Sequence, residues 1–192
     1  MKNPYAVGER VYLRQPTAED VEGRWHEWLS DEETTRWLAL HHWPNSVEAQ
    51  REFFEASRRS RDRLVLAAVD RETDRHIGVC NLSAINWVHR FCDVAVVIGE
   101  PEYRTGPYVL EAMSLLLRIA FMRLNLRIVK SSFAADNDAS KAIHEIFGFK
   151  EVGRIEQLFW DRGRYVDNVI AALSRPQWMA RNDLSAGAEQ HA

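Results

Sequence analysis

Cysteine is scarce in this 192-residue chain: Cys80 and Cys92 both sit inside apolar, strand-like runs, without the spacing of a metal cluster. That usage predicts reduced, buried thiols in a cytoplasmic protein, and no bound metal. Lysine is scarce too, with Lys2, Lys130, Lys141 and Lys150 beside a much larger number of arginines. Positive charge is not in excess. The 25 Lys and Arg against 28 Asp and Glu leave a net charge of −3, so no global basic field points to nucleic acid, although a local basic face stays compatible with it. No apolar run approaches the roughly 20 residues of a membrane helix, and no secretory h-region opens the chain. Neither insertion nor export is expected. Walker loops, a Ser-His-Asp order and internal repeats are all missing.

What is present is an ordinary globular composition, 46% hydrophobic and 28% charged. The length suits one domain over 1–181, with a patternless tail at 182–192. Val11 to Arg14 reads as a strand, and Thr17-x-x-Asp20 resembles a capping box opening a helix with Trp25, Trp28 and Leu29 on one face. A second helical pattern follows Asn45-Ser46, runs through Phe53 and Phe54 and ends near Arg58-Arg59-Ser-Arg61. Strands are predicted at Leu64 to Val69, Ile77 to Ile85, Phe91 to Ile98, Ile128 to Phe133, Val152 to Trp160 and Val166 to Leu173. Helical spacing marks Met113 to Phe121 and Ala139 to Phe147. The order implies an α+β fold, a mixed central sheet flanked by helices with a βαβ core.

The densest signal is a strand, Asp93 to Ile98, running into the turn Glu100-Pro-Glu-Tyr-Arg-Thr-Gly106 and a helix, followed by Asn137-Asp-Ala-Ser140 opening another helix. A helix that starts directly after a buried strand leaves unpaired backbone N–H groups pointing at one spot, a natural cradle for phosphate.

That unit resembles the acyl-CoA-binding core of the GNAT acetyltransferase superfamily. The similarity extends to Gly8-Glu-Arg-Val-Tyr-Leu-Arg14, Ile85-Asn-Trp-Val-His-Arg90, Ile98-Gly-x-Pro-Glu-Tyr103, Glu111-Ala112, Gly148-Phe149, Asp161-Arg-Gly-Arg-Tyr-Val-Asp167 and Trp178. It is strongest toward the branch of ribosomal-protein alanine and nucleotide-sugar N-acetyltransferases. The resemblance implies direct transfer of an acyl group, most simply acetyl, from acetyl-CoA or another acyl-CoA to a small-molecule or peptide amine. The donor is a co-substrate, with no tightly bound cofactor. The strand backbone at Val96, Val97 and Ile98 would hold the thioester and its arm; Arg104, Thr105 and Gly106 would meet the pyrophosphate; Asn137 and Ser140 would contact the arm. Asn137 is equally suited to capping its helix. In the family's register His144 stands where a proton donor to the leaving thiolate is common, and Asp93 where a carboxylate can take the amine proton; a packed histidine and a strand-end carboxylate are the plain alternatives. Asn86, Trp87, His89 and Trp160 would line the acceptor cleft.

The chain departs from the family's Arg/Gln-x-x-Gly-x-Gly/Ala loop at Pro107 and Val109. Proline removes one N–H and valine crowds the backbone, which weakens a pyrophosphate cradle. Two other readings follow. An aminoacyl-tRNA could replace acyl-CoA, with Arg58, Arg59, Arg61, Arg118 and Arg123 meeting tRNA phosphates; or the domain could bind without catalysing. The sequence assigns no oligomeric state.

Overall fold

The computed structural model describes residues 1–38 and 43–183. Its strands are β1 (Pro4–Val7), β2 (Val11–Arg14), β3 (Leu64–Asp70), β4 (His76–Asn86), β5 (Phe91–Ile98), β6 (Ile128–Ala134), β7 (Lys150–Asp161) and β8 (Arg164–Ser174). The helices are α1 (Ala18–Glu22), α2 (Trp25–Trp28), α3 (Glu32–Thr35), α4 (Val47–Arg59), α5 (Gly106–Arg118), α6 (Asp138–Phe147) and α7 (Arg175–Arg181). One mixed sheet runs β1-β2-β3-β4-β5-β6-β8-β7, with helices on both faces. This is the α+β architecture that the order of elements predicts.

Strand alternation assigns the two faces of the sheet. Cys80 and Leu82 of β4 and Cys92, Val94 and Ile98 of β5 join Ala112, Leu115 and Leu116 of α5 in the main core. On the opposite face Val65 of β3 packs with Val21, Trp25, Trp28 and Phe54 in a smaller core under α1, α2 and α4. Both cysteines are free and buried, and burial pushes each thiol up to about 12, so neither is a nucleophile at neutral pH.

Helix ends follow the local chemistry. The Ser46 hydroxyl accepts from the Ala49 amide at 3.2 Å to open α4, and Gly148, at φ 80°, closes α6 in the left-handed conformation that suits glycine. The family-like residues Gly8 and Glu111 have a structural duty. The Glu111 carboxylate accepts from the Arg10 and Val11 amides at 2.8 and 2.7 Å, so α5 grips the β1–β2 turn; a Cβ on Gly8 would lie 2.5 Å from that carboxylate.

The segment after Thr17 differs from expectation. It is two short helices, because Gly23 leaves helical geometry at φ −80°, ψ −151° and redirects the chain before Trp25. The edge strand β1 and the short helices α3 and α7 carry too little periodicity to be read alone. For α7 a signal existed in Ser174-x-x-Gln177, where the Gln177 side chain accepts from the Ser174 amide at 3.0 Å. Of the predicted tail, residues 184–192 lie outside the described residues.

Candidate active site

The sheet opens in its middle. β5 and β6 are parallel neighbours, but they pair only through Phe91, Cys92 and Asp93 against Ile128, Val129 and Lys130. From Val94 to Ile98, β5 stays paired with β4, and from Ser131 onward β6 stays paired with β8. Alternate N–H and C=O groups of Val94 to Ile98 therefore face a gap. Because β5 and β6 run parallel, the chain leaves both at the same edge of the sheet, and α5 and α6 both start there. Their unpaired first-turn amides lie at that edge.

Asp93 stands at the last paired position. Its carboxylate lies 3.3 Å from Lys130 Nζ, and both side chains are 40% exposed, so the pair is a weak, exchangeable one. Val97 faces a cavity of about 440 Å³, which Asp93 also lines. Val96 points the other way, against the main core, as does the buried Ile98.

At the start of α5, Thr105 is the N-cap residue, Gly106 opens the first turn and Pro107 follows. No side chain caps this end, and space around Gly106 is open. Gly106 and Tyr108 bring N–H groups to the first turn, and Pro107 brings none. The Arg104 guanidinium does not point along this turn. It donates to the carbonyls of Ile98 at 3.2 Å and Gly99 at 2.7 Å and to the Thr34 hydroxyl at 2.6 Å, which ties the end of β5 to α3.

At α6, Asn137 caps the helix: its Oδ1 accepts from the Ser140 amide at 3.0 Å. It also lines a second open cavity, of about 500 Å³, with Arg36, Trp37 and Arg164. His144 is 6% exposed. Its ring stacks on Phe133 with centroids 4.5 Å apart and meets Phe149 edge-on at 4.9 Å. Its Nδ1 donates to the Ser140 carbonyl at 2.6 Å, and Nε2 is buried with no partner among the described residues. Burial pushes this imidazole below the ordinary histidine range, against the opposing effect of the Ser140 carbonyl. A neutral ring in that tautomer has spent its one N–H. Acid duty on a thiolate would need a proton on Nε2, which burial disfavours.

The acceptor-side expectations divide. Trp160 lines a cavity of about 390 Å³ with Arg36, Trp43 and Asp161. Asn86, Trp87 and His89 lie at the β4–β5 turn, away from the 440 Å³ cavity. There the Asn86 side chain accepts from the His89 amide at 2.8 Å, and the Trp87 indole donates to the Arg61 carbonyl at 2.7 Å; these residues shape the turn. Residues that the sequence did not single out line the 440 Å³ cavity instead: Trp25 and Trp28 of α2, Trp37, Gln50 and Phe53 of α4, Asn81 of β4 and Phe159 of β7. No one-dimensional signal separates Trp25, which lines a cavity, from Trp178, which is plain core. Of the arginines considered for tRNA, Arg58 and Arg59 both pair with Glu55, and Arg123 lies over the Tyr5 ring.

Residues 10–150 match the Acetyltransferase (GNAT) domain. The spermidine N(1)-acetyltransferase of Vibrio cholerae is 30% identical over 107 residues, which cover 56% of this chain and only 61% of that protein. The alpha/beta-tubulin-N-acetyltransferase 9 of Drosophila melanogaster is 28% identical over 172 residues, covering 81% and 82% of the two chains. The crystal structure of the Vibrio cholerae spermidine N-acetyltransferase in complex with CoA and spermine shares the fold, with a TM-score of 0.82 at 20% identity over 90% of this chain and 99% of the other. With the split sheet, the two helices starting at one edge and a domain match over most of its length, this chain belongs to the GNAT acetyltransferase family.

Proposed function

We propose that the protein is an N-acetyltransferase that takes its acyl group from acetyl-CoA and delivers it to a primary amine by direct attack. The observation that carries this reading is the β5/β6 gap, which meets the 440 Å³ cavity at Asp93. A thioester laid along the free edge of β5 finds fixed amide donors for its carbonyl oxygen, and its phosphates reach the first turn of α5. The amine enters from the cavity. Its nitrogen forms a bond to the thioester carbon, the C–S bond breaks, and the products are an amide and the CoA thiol. The nitrogen must lose a proton, and Asp93 lies at the meeting point to accept it directly or through water. The thiolate takes its proton from solvent, since His144 is enclosed by two phenyl rings.

Pro107 leaves one fewer amide for the phosphates, which lowers donor affinity without closing the site. The ribosomal-protein alanine and nucleotide-sugar branch is the finer placement that the motif order favours, supported by the runs around Gly8, Ile98 and Asp161.

The test is release of CoA thiol from acetyl-CoA that depends on added primary amine. Asp93→Asn is expected to lower kcat/KM by about a hundredfold or more while leaving acetyl-CoA affinity within about twofold. Absence of acetyl-CoA binding in calorimetry would overturn the reading.

A further inference from the structure

The acyl-transfer reading leaves the acceptor unnamed, and the cavity at Asp93 carries information about it. Its walls include the indoles of Trp25, Trp28 and Trp37 and the phenyl rings of Phe53 and Phe159. Among the described residues that line it, Asp93 is the single ionisable side chain, and it already faces Lys130. A polyamine would bring several ammonium groups to this one carboxylate. An aromatic face attracts a cation by less than burial of an unpaired ammonium costs.

Three amides, Asn45, Gln50 and Asn81, break the apolar lining together with the hydroxyls of Ser83, Ser131 and Ser132, and Gln50 and Asn81 each have a spare polar atom. Gln50 is 1% exposed; its Oε1 accepts from Asn45 Nδ2 at 3.0 Å, and its Nε2 has no partner. Asn81 Oδ1 is also buried and unpartnered. Whichever way each amide is turned, one donor or acceptor remains available. Leaving such a group unsatisfied is costly, and a ligand with matching polar atoms recovers that cost.

We infer that the acceptor is a primary amine on an uncharged, largely aromatic body carrying one neutral hydrogen-bonding group such as a carboxamide, with Gln50 and Asn81 as the residues that select it. This rests on the acyl-transfer reading. The sources of such an amine, a free small molecule or the first residue of a peptide, share this chemistry and differ in size. The cavity reaches the β5/β6 gap, where Asp93, Ser131 and Ser132 line it.

The experiment measures transfer from acetyl-CoA to L-phenylalaninamide, to phenethylamine, which lacks the carboxamide, and to spermidine, following thiol release and product mass. The expected kcat/KM for L-phenylalaninamide is about tenfold or more above each of the others, as one recovered hydrogen-bonding group provides. Replacing both amides, Gln50→Met with Asn81→Leu, should bring the ratio between L-phenylalaninamide and phenethylamine close to one. Each single variant gives an intermediate ratio if the double variant folds poorly. Spermidine as the preferred acceptor, or a ratio unmoved by any folded variant, overturns the inference and leaves the acyl-transfer reading standing. Acetyl-CoA binding without transfer to any of the three amines overturns the inference alone. No acetyl-CoA binding at all overturns both. A peptide beginning with phenylalanine, compared with L-phenylalaninamide, distinguishes the two sources.

Discussion

The indole N–H of Trp28 donates to the buried carboxylate of Glu100 at 2.9 Å, joining a wall of the 440 Å³ cavity to the turn that ends β5. The contact is close along its whole length: a Cβ on Gly99 would lie 1.9 Å from the indole, so glycine is needed for Trp28 to lie against this backbone. Arg24 donates to the same carboxylate at 2.7 Å, and Arg75 also pairs with it. The cavity wall at Trp28 and the end of β5 are therefore held by one residue pair.

Glu100→Ala should test that coupling. Arg24 and Arg75 are 53% and 43% exposed and can turn to solvent, so the main loss is the acceptor for a buried indole N–H, about 1–3 kcal/mol. Urea unfolding measures it. The KM for the amine should rise several-fold as Trp28 loosens, with acetyl-CoA affinity changed by less than about twofold; an unchanged KM would separate this wall from acceptor binding.

Arg104→Ala should act through the backbone it holds. Its three hydrogen bonds join Ile98, Gly99 and Thr34, and losing them from a partly exposed group should cost about 1–2 kcal/mol of stability and about tenfold in donor affinity. Calorimetry and unfolding together decide the cause. Weaker donor binding at full stability would mean that the guanidinium leaves these partners for the donor phosphate.

Pro107→Gly restores the missing N–H in the first turn of α5. A charge-assisted hydrogen bond there should tighten acetyl-CoA binding by about tenfold, at a stability cost of roughly 0.4–1 kcal/mol from the freer unfolded chain. Val109 is a poor site for the same relief, because it packs against the main core. Unchanged affinity in the folded variant would place the phosphates away from this turn.

For His144→Phe, packing between Phe133 and Phe149 predicts turnover within about threefold of the parent. Removal of the unpartnered buried Nε2 offsets loss of the Nδ1 hydrogen bond to the Ser140 carbonyl, so stability should change by less than about 1 kcal/mol. A hundredfold fall in turnover at normal donor affinity would assign the ring the acid role that the family register implies.

Acid stability should report His76. Burial pushes its imidazole from 6.5 down to about 4, opposed by Asp20, which Arg14 already engages bidentately at 2.6 and 2.8 Å. The neutral ring donates from Nε2 to the Gly78 carbonyl at 2.9 Å. Between those two pKa values the unfolded chain binds a proton that the folded chain refuses. Stability from this group is therefore complete above about pH 6.5 and declines as pH falls toward 4, by on the order of 3 kcal/mol. Urea midpoints between pH 7 and 4 should show a slope that flattens in His76→Leu; an equal slope in the variant would assign the acid sensitivity to other groups.

The alternation of apolar residues and the helix-opening residues Ser46 and Asn137 determined the sequence-readable part of this protein: the seven strands β2 to β8, α4, the second half of α5, α6 and the order that makes a βαβ core. These are short-range effects, complete within a few residues, and they survive translation into periodicity. Gly23 shows the limit, since the turn it makes is local yet invisible to helical spacing. Three things were decided only by tertiary structure. The first is where β5 and β6 part after Asp93, which depends on β8 holding β6 along its length. The second is which aromatic residues meet a cavity and which fill the core, since burial alone drives both. The third is the destination of polar groups such as Arg104, His144, Gln50 and Asn81. A polar side chain's role is set by the partners that arrive from distant parts of the chain, and hydrogen bonds act only over the last few ångströms of that approach.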